Sequence, residues 1–231
     1  YSYYSMFKKK IFKDLSLKYS NHAYTGLMGF FMKKCHIQLE NFKFPENISK
    51  VLEIGAGTEP HYKYIKHTYE EYHIIETSND INPDGYDNPK VKASNYDGTN
   101  IPYDNEYFDR IIISQCLEHI VNPEKFLFEM MSKLKKGGVL SISLPTDPGV
   151  LFRLGRLYLK IFSIKKKYKI TADQFDYMNA TEHVNSIFGL HSIIKYNFKD
   201  SIYESYLPFK IKSFDLNLFY NVHILKKKIK S

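Results

Sequence analysis

The residues of this sequence able to do chemistry begin with an acid ahead of two glycines, Glu53-Ile54-Gly55-Ala56-Gly57. Glycine adopts left-handed backbone angles and lets a ligand approach the main chain closely. Pro60 follows, and proline suits a first helical turn, where its missing N–H costs nothing. Such a loop presents unpaired N–H groups at a helix start. Glu76 stands 19 residues beyond Gly57. At that distance, α/β nucleotide sites place an acid that accepts hydrogen bonds from ribose hydroxyls. His119 and His183 can take up a proton near pH 7. Arg153 and Arg156 share a helix face at i, i+3 and suit an anion.

The elements that must position these groups read as alternating strands and helices. Residues 50–54 form an apolar strand that runs into the glycines, and 60–69 read as a helix. Residues 72–76 make a second strand with Glu76 at its end. Residues 79–89 are rich in Asn, Asp, Gly and Pro, and read as loop. A third strand begins at residues 91–93. Residues 111–113 are the apolar centre of a fourth, which suits a parallel strand covered on both faces. Asn122 caps a helix with Pro123 first, and Phe126, Leu127, Met130, Met131 and Leu134 make its apolar face. Lys135-Lys136-Gly137-Gly138 closes it, and 139–144 form a fifth strand. Upstream, 7–17 and 26–42 read as helices, the second with a stripe of Leu27, Phe30, Phe31, Ile37 and Leu39. Downstream, 151–162 and 187–194 read as helices, with a polar cluster of Tyr177, Asn179, Glu182, His183 and Asn185 between them. The last strands fall at 203–209 and 217–225.

A chain of 231 residues suits one α/β domain with additions. Abundant Lys, Asn, Ile and Tyr point to an AT-rich bacterial genome. Two isolated cysteines, Cys35 and Cys116, make neither a disulfide framework nor a metal-ligand set, so a reducing cytoplasm is expected. No metal is expected. No apolar run long enough to span a bilayer and no signal peptide stand out. Residues 1–145 are charge-balanced, whereas 146–231 hold 15 basic and 7 acidic residues. This excess suits an anionic acceptor, or a membrane or nucleic-acid surface. Its plainer reading is solubility with a frayed basic tail at 226–230.

The glycine loop lacks the third glycine of the dinucleotide fingerprint, since Pro60 occupies that position. The order acid-x-Gly-x-Gly resembles the first motif of the class I S-adenosylmethionine-dependent methyltransferases, although Glu59 stands where that family often has another glycine. Asp97 lies five residues before Pro102-Tyr103, the family spacing of an acid that meets the adenine amino group. Tyr107-Phe108-Asp109 resembles the family's entry into the fourth strand. Leu117-Glu118-His119-Ile120 resembles the segment after it, and Leu134-Lys135-Lys136-Gly137-Gly138 the approach to the fifth. Asp147-Pro148-Gly149 and Glu182-His183-Val184-Asn185 are similar to bacterial small-molecule and surface-glycan-pathway members.

The resemblance implies a Rossmann-like α/β fold, a seven-stranded, mostly parallel sheet of order 3-2-1-4-5-7-6. Helices would cover both faces. Residues 1–45 would be an N-terminal helical cover, 46–145 the cofactor core, 146–200 an acceptor-side insertion, and 201–231 the last strands and tail. S-adenosylmethionine, leaving as S-adenosylhomocysteine, would meet Glu53, Gly55, Ala56, Gly57, Glu76, Thr77, Asn95, Tyr96, Asp97 and Gln115. Tyr19 and Tyr24, near His22, would come from the cover. His119 or His183 would act as base, and Asp147, Arg153, Arg156, Tyr177 and Asn185 would bind the acceptor. Lys165 to Lys167 would add positive charge. That acceptor is expected to be small and anionic, such as a nucleotide-linked or phosphorylated capsule precursor. A nucleic-acid acceptor is the second reading, though no base-flipping motif or appended binding module is present. A non-catalytic cofactor-binding protein is the third, and cofactor affinity without acceptor turnover would mark it.

Overall fold

The computed structural model describes residues 24–76, 86–95 and 101–227. The expectations for the helix at 7–17 and for Tyr19, His22, Thr77, Tyr96 and Asp97 lie outside the described residues. So does most of the tail.

Seven strands form one sheet in the order β3-β2-β1-β4-β5-β7-β6. They are β1 (Lys50–Ile54), β2 (Glu71–Glu76), β3 (Val91–Asn95), β4 (Phe108–Ser114), β5 (Leu134–Pro145), β6 (Ile202–Leu207) and β7 (Phe219–Leu225). Only β7 runs antiparallel to its neighbours β5 and β6. The expected Rossmann-like sheet is the observed one. On one face Leu52, Ile54, Ile111, Ile113, Leu140, Ile142, Val222 and Ile224 form a single apolar core. It is covered by Phe126, Leu127 and Met130 of α2 (Pro123–Lys133) and by Ile187, Leu190 and Ile194 of α5 (Ile187–Phe198). Asn122 caps α2 by accepting the Lys125 N–H at 3.2 Å, with Pro123 in the first turn, as its sequence requires. On the opposite face Leu39 of α1 (Gly26–Leu39) joins Val51, Tyr72, Ile74 and Ile112. Residues 146–200 add α3 (Val150–Phe162) and α4 (Ala172–Glu182). Leu159, Ile164, Ile170, Phe175 and Met178 give them a small core of their own, against which Met28 of α1 packs.

Several elements depart from the sequence expectation. The helix expected at 60–69 is one short turn, His61–Tyr64. Carboxylates take the N–H groups that a helix would use: His61 N–H donates to Glu53 at 2.8 Å and Lys66 N–H to Glu40 at 3.2 Å. Leu134 begins β5 rather than ending α2, because it pairs in parallel register with Phe108. α1 stops at Leu39, three residues short of the expected end. Glu40 there turns into the core. β6 ends before Pro208, which has no N–H for the ladder. β7 starts at Phe219 because Asn217 is engaged in shaping the preceding loop. Its side chain accepts from the Phe209 N–H and donates to the Ile211 and Ser213 carbonyls, at 2.8, 2.9 and 2.7 Å.

The face under α1 is polar at its centre. Arg110 of β4 is fully buried, and its guanidinium donates to Glu40 at 2.6 Å and to Ser141 at 3.1 Å. It also lies over the Phe44 ring at 3.9 Å. Burial alone would raise the Glu40 carboxyl, but the hydrogen bond from His61 and the Arg110 charge outweigh it and hold it far below the usual range. From Glu40 a chain of contacts runs through His61 and His36 to the Tyr24 hydroxyl, at 2.8, 2.7 and 2.9 Å. Glu53 of β1, 1% exposed, closes the same region. Its second oxygen accepts from the Tyr72 hydroxyl at 2.7 Å. Burial raises the Glu53 carboxyl to about 7 despite these donors.

Two outcomes follow for stability. Glu40→Ala leaves a buried guanidinium without its counter-charge and should cost about 3 to 5 kcal/mol, read as a lower urea midpoint. The double variant Glu40→Leu with Arg110→Met should recover most of that loss. Glu53→Gln tests the second acid. Between roughly pH 4.5 and 7 the unfolded chain has lost this proton while the folded chain keeps it, so the Glu53 contribution falls as pH rises through that window. Stability of the wild type minus that of Glu53→Gln should drop by about 3 kcal/mol from pH 4.5 to 7.5. A flat difference would show that the Glu53 carboxyl titrates normally.

Candidate active site

The carboxyl ends of β1, β2, β3 and β4 lie side by side in parallel register, and the glycine loop crosses between them. Gly55 has φ of +69°, and its N–H donates to the Ile75 carbonyl at 3.0 Å, tying the loop to β2. A Cβ on Gly55 would stand 2.6 Å from the Cys116 sulfur. The loop after β4 therefore requires this glycine, independently of any ligand. Gly57 differs. Its φ is +54°, but a Cβ there would meet nothing within 4 Å. Its N–H donates to the Glu76 carboxylate at 3.1 Å. Ala56 is buried between the two. Asn95 ends β3 in register with Glu76 and is exposed. Gln115 follows β4 with φ of +53°, and its amide donates to Ser143 at 2.9 Å. Glu53 does not face this opening, since both its oxygens are held inside by His61 and Tyr72. It acts on the loop by fixing the turn that follows. Tyr24 is tied to His36, with its hydroxyl pushed up first by burial and then by nearby charges, Glu53 and Glu59 among them.

The second half of the site is built where the loops after β4 and β5 meet the segment between α4 and α5. The Asp147 carboxylate accepts from His183 Nδ1 at 2.9 Å and from Arg156 at 2.5 Å. A carboxylate only accepts, so His183 donates from Nδ1, and Nε2 takes no part in this pair. Burial pushes Asp147 up, but the hydrogen bond from His183 and the Arg156 charge prevail and hold it below the usual carboxylate range. His119 Nδ1 likewise donates to the Glu182 carbonyl at 2.8 Å. The His119 and His183 rings meet edge to face at 5.2 Å. Beside them Glu118 is 3% exposed, and its carboxyl is raised by burial to about 7.

Backbone contacts stitch these pieces together. Asn185 donates its N–H to the Glu118 carbonyl at 3.1 Å and its side chain to the Ile120 carbonyl at 2.6 Å. The Ile187 N–H donates to the Asp147 carbonyl at 2.8 Å. Of the expected acceptor residues, Asp147, Arg156 and Asn185 thus hold the site's own framework. The two arginines, three apart in α3, diverge: Arg156 turns inward to Asp147, whereas Arg153 is exposed. Tyr177 is 45% exposed on α4. Lys165 and Lys166 are exposed beyond α3. Sequence reasoning gave no role to His61, Tyr72 or Glu118. Glu118 had a signal, an acid directly before His119 at a strand end. The other two had none, because their contacts join residues far apart in the chain.

A family model described as a methyltransferase domain matches residues 31–197. A demethylmenaquinone methyltransferase of Clavibacter sepedonicus is 35% identical over 94 residues, which cover 39% of this chain and 38% of that enzyme. The chain thus aligns with about two fifths of the length of this relative. Among solved structures, the plantazolicin methyltransferase BpumL in complex with S-adenosylhomocysteine superposes with a TM-score of 0.60 at 15% identity, over 94% of this chain and 90% of that one. A Haemonchus contortus phosphoethanolamine N-methyltransferase 2 in complex with S-adenosylmethionine gives 0.58 at 14%, over 85% and 53%. At such identities the structures speak for the fold, while the family model spans most of the residues that build both halves of the site. Strand-end glycine loop, paired acid and seven-stranded order agree with it, and the chain belongs to the methyltransferase-domain family.

Proposed function

We propose that this chain transfers the methyl group of S-adenosylmethionine to a small, anionic acceptor. The carrying observation is an open glycine loop after β1 together with an oriented histidine pair, His119 in the turn after β4 and His183 at the end of α4. The space beside Gly57 and the carboxylate of Glu76 fit a ribose-bearing ligand, since an acid at the end of the second strand accepts from ribose hydroxyls. The sulfonium supplies an already activated methyl, so positioning and exclusion of water carry much of the rate. An acceptor hydroxyl must still lose its proton, and the Nε2 lone pairs of His183 and His119 are oriented to take it. Asp147 supports the imidazolium that results. The new O–C bond forms as the C–S bond breaks.

Charge and exposure support an anionic acceptor. Arg153 is exposed in the first turn of α3, and Lys165 and Lys166 are exposed beyond its other end. A phosphorylated or nucleotide-linked precursor of a surface polysaccharide has the required anion and hydroxyls. Among the solved relatives, a phosphoethanolamine methyltransferase already names a phosphorylated acceptor for this fold. No helix among the described residues is long and apolar enough to cross a membrane.

Two measurements test this reading. Gly57→Val adds bulk into open space, so it should weaken S-adenosylmethionine binding by calorimetry at least tenfold while costing only about 1 to 2 kcal/mol of stability. Gly55→Val should instead lower stability outright, through its clash with Cys116. Unchanged affinity in Gly57→Val would remove the cofactor from this loop. With an acceptor found by screening nucleotide-linked pools for S-adenosylhomocysteine release, His183→Gln should lower kcat by about 10²- to 10⁴-fold. Arg153→Ala should raise the acceptor KM with little change in kcat. Wild-type kcat in His183→Gln would end the assignment of His183 as the base.

A further inference from the structure

We infer that Glu118, His119 and His183 form a binding site for a divalent transition-metal cation of the zinc kind. A carboxylate oxygen of Glu118 and one nitrogen from each histidine all lie within 4.8 Å of one another. Ligand atoms around a tetrahedral zinc stand about 3.3 Å apart, so small side-chain rotations close the set. Two features separate this cluster from a chance grouping of polar residues. The first is the wiring of the histidines. Each has Nδ1 held by an oxygen outside the cluster, His119 by the Glu182 carbonyl at 2.8 Å and His183 by Asp147 at 2.9 Å. Metal-binding histidines are held in this way, with the outer oxygen fixing the tautomer and raising ligand basicity. Asp147 is itself fixed by Arg156. The second feature is Glu118. It is 97% buried, yet its Oε2 has no hydrogen-bond partner, and its Oε1 is 3.7 Å from His119 Nε2. A buried carboxylate oxygen without a donor is costly. A cation bound between Glu118 and the two Nε2 atoms would satisfy it.

Two neutral imidazoles and one carboxylate are ligands that zinc and its first-row neighbours accept, whereas magnesium and calcium prefer oxygen alone. The three ligands leave further coordination positions toward the opening. The consequence for chemistry rests on the methyltransferase reading, but the binding itself does not. An acceptor hydroxyl on the cation would have its pKa lowered. Its proton would pass to solvent, its oxygen would form the new bond to the methyl carbon, and the C–S bond would break to release the neutral thioether. In the metal-loaded protein the imidazoles would act as ligands instead of taking the proton themselves.

The test uses untagged, chelator-stripped protein of full length. Zn²⁺ is titrated in competition with a chromogenic chelator, and Mg²⁺ serves as the contrast. One equivalent of Zn²⁺ should bind, and Mg²⁺ should not compete at equal concentration. His119→Ala and His183→Ala should each weaken Zn²⁺ binding at least 100-fold. Asp147→Asn, which alters only the outer partner of His183, should weaken it about 10- to 100-fold. Circular dichroism and urea unfolding confirm that each variant is folded. Should one histidine variant fail to fold, the other and Asp147→Asn still decide the matter. Absence of Zn²⁺ binding to the wild type, or wild-type affinity in both histidine variants, overturns the site. Calorimetry of S-adenosylmethionine on the stripped protein separates the two readings. Zinc binding without cofactor binding would remove the methyltransferase proposal and leave this site standing. Cofactor binding, with no Zn²⁺ taken up when the metal is added to the stripped protein, would do the reverse.

Discussion

A charge in the middle of a sheet face constrains this protein more than any other feature. Arg110 sits on β4, the central strand, with no exposure to water. A guanidinium cannot be neutralised in a protein, so its surroundings must carry the opposite charge and fill its donors. Glu40 supplies the charge, and it can do so only if α1 ends at Leu39 and turns inward. Ser141 and His67 take other donors, at 3.1 and 2.9 Å. His223 is close by and is pushed down to about 3, first by burial and then by the Arg110 charge, so it stays neutral. One ion pair thus fixes the end of α1, the turn after β1 and the pairing of β4 with β5. Such pairs contribute little net stability, since desolvation offsets attraction, but breaking one is expensive. Its effect here is on uniqueness: few other arrangements of α1 could satisfy Arg110.

That constraint reaches the site through His61. His61 bonds Glu40 through its ring and Glu53 through its backbone N–H. The turn that follows the glycines is therefore anchored on the polar face and not on the ligand face. Gly55 is pressed against Cys116, so the loops after β1 and β4 are in van der Waals contact before any cofactor arrives. Gly57 alone faces open space. The loop is packed against protein at Gly55 and uncovered beside Gly57.

The sheet was legible because its signals are local. The apolar run at 111–113, the capped helix at Asn122 and the glycine loop each announce an element within a few residues. The family order then arranged them. The failures share one cause. The helix expected at 60–69 dissolved because its amides were captured by Glu40 and Glu53, 26 and 8 residues away. Asn217 read as a strand residue, yet it holds a loop through three hydrogen bonds. Arg153 and Arg156 have the same type and near-identical sequence surroundings, but only Arg156 meets Asp147. Periodicity reports which face a residue occupies, and it carries no information on which distant polar group will be waiting there.

The two halves of the site differ in how they are built. The half around the glycine loop stands on strand ends, and its geometry is set by the sheet register. The half around the two histidines stands on loops joined by hydrogen bonds to backbone carbonyls: the Asn185 side chain to Ile120, the His119 ring to Glu182, and the Ile187 N–H to Asp147. Its helices α3 and α4 have their own small core, separate from the two clusters on the sheet. His119 closes a short turn five residues after β4, Asp147 lies two residues after β5, and Asp147 holds His183 at the end of α4. The two arginines on α3 divide: Arg156 is held by the Asp147 carboxylate, and Arg153 is exposed.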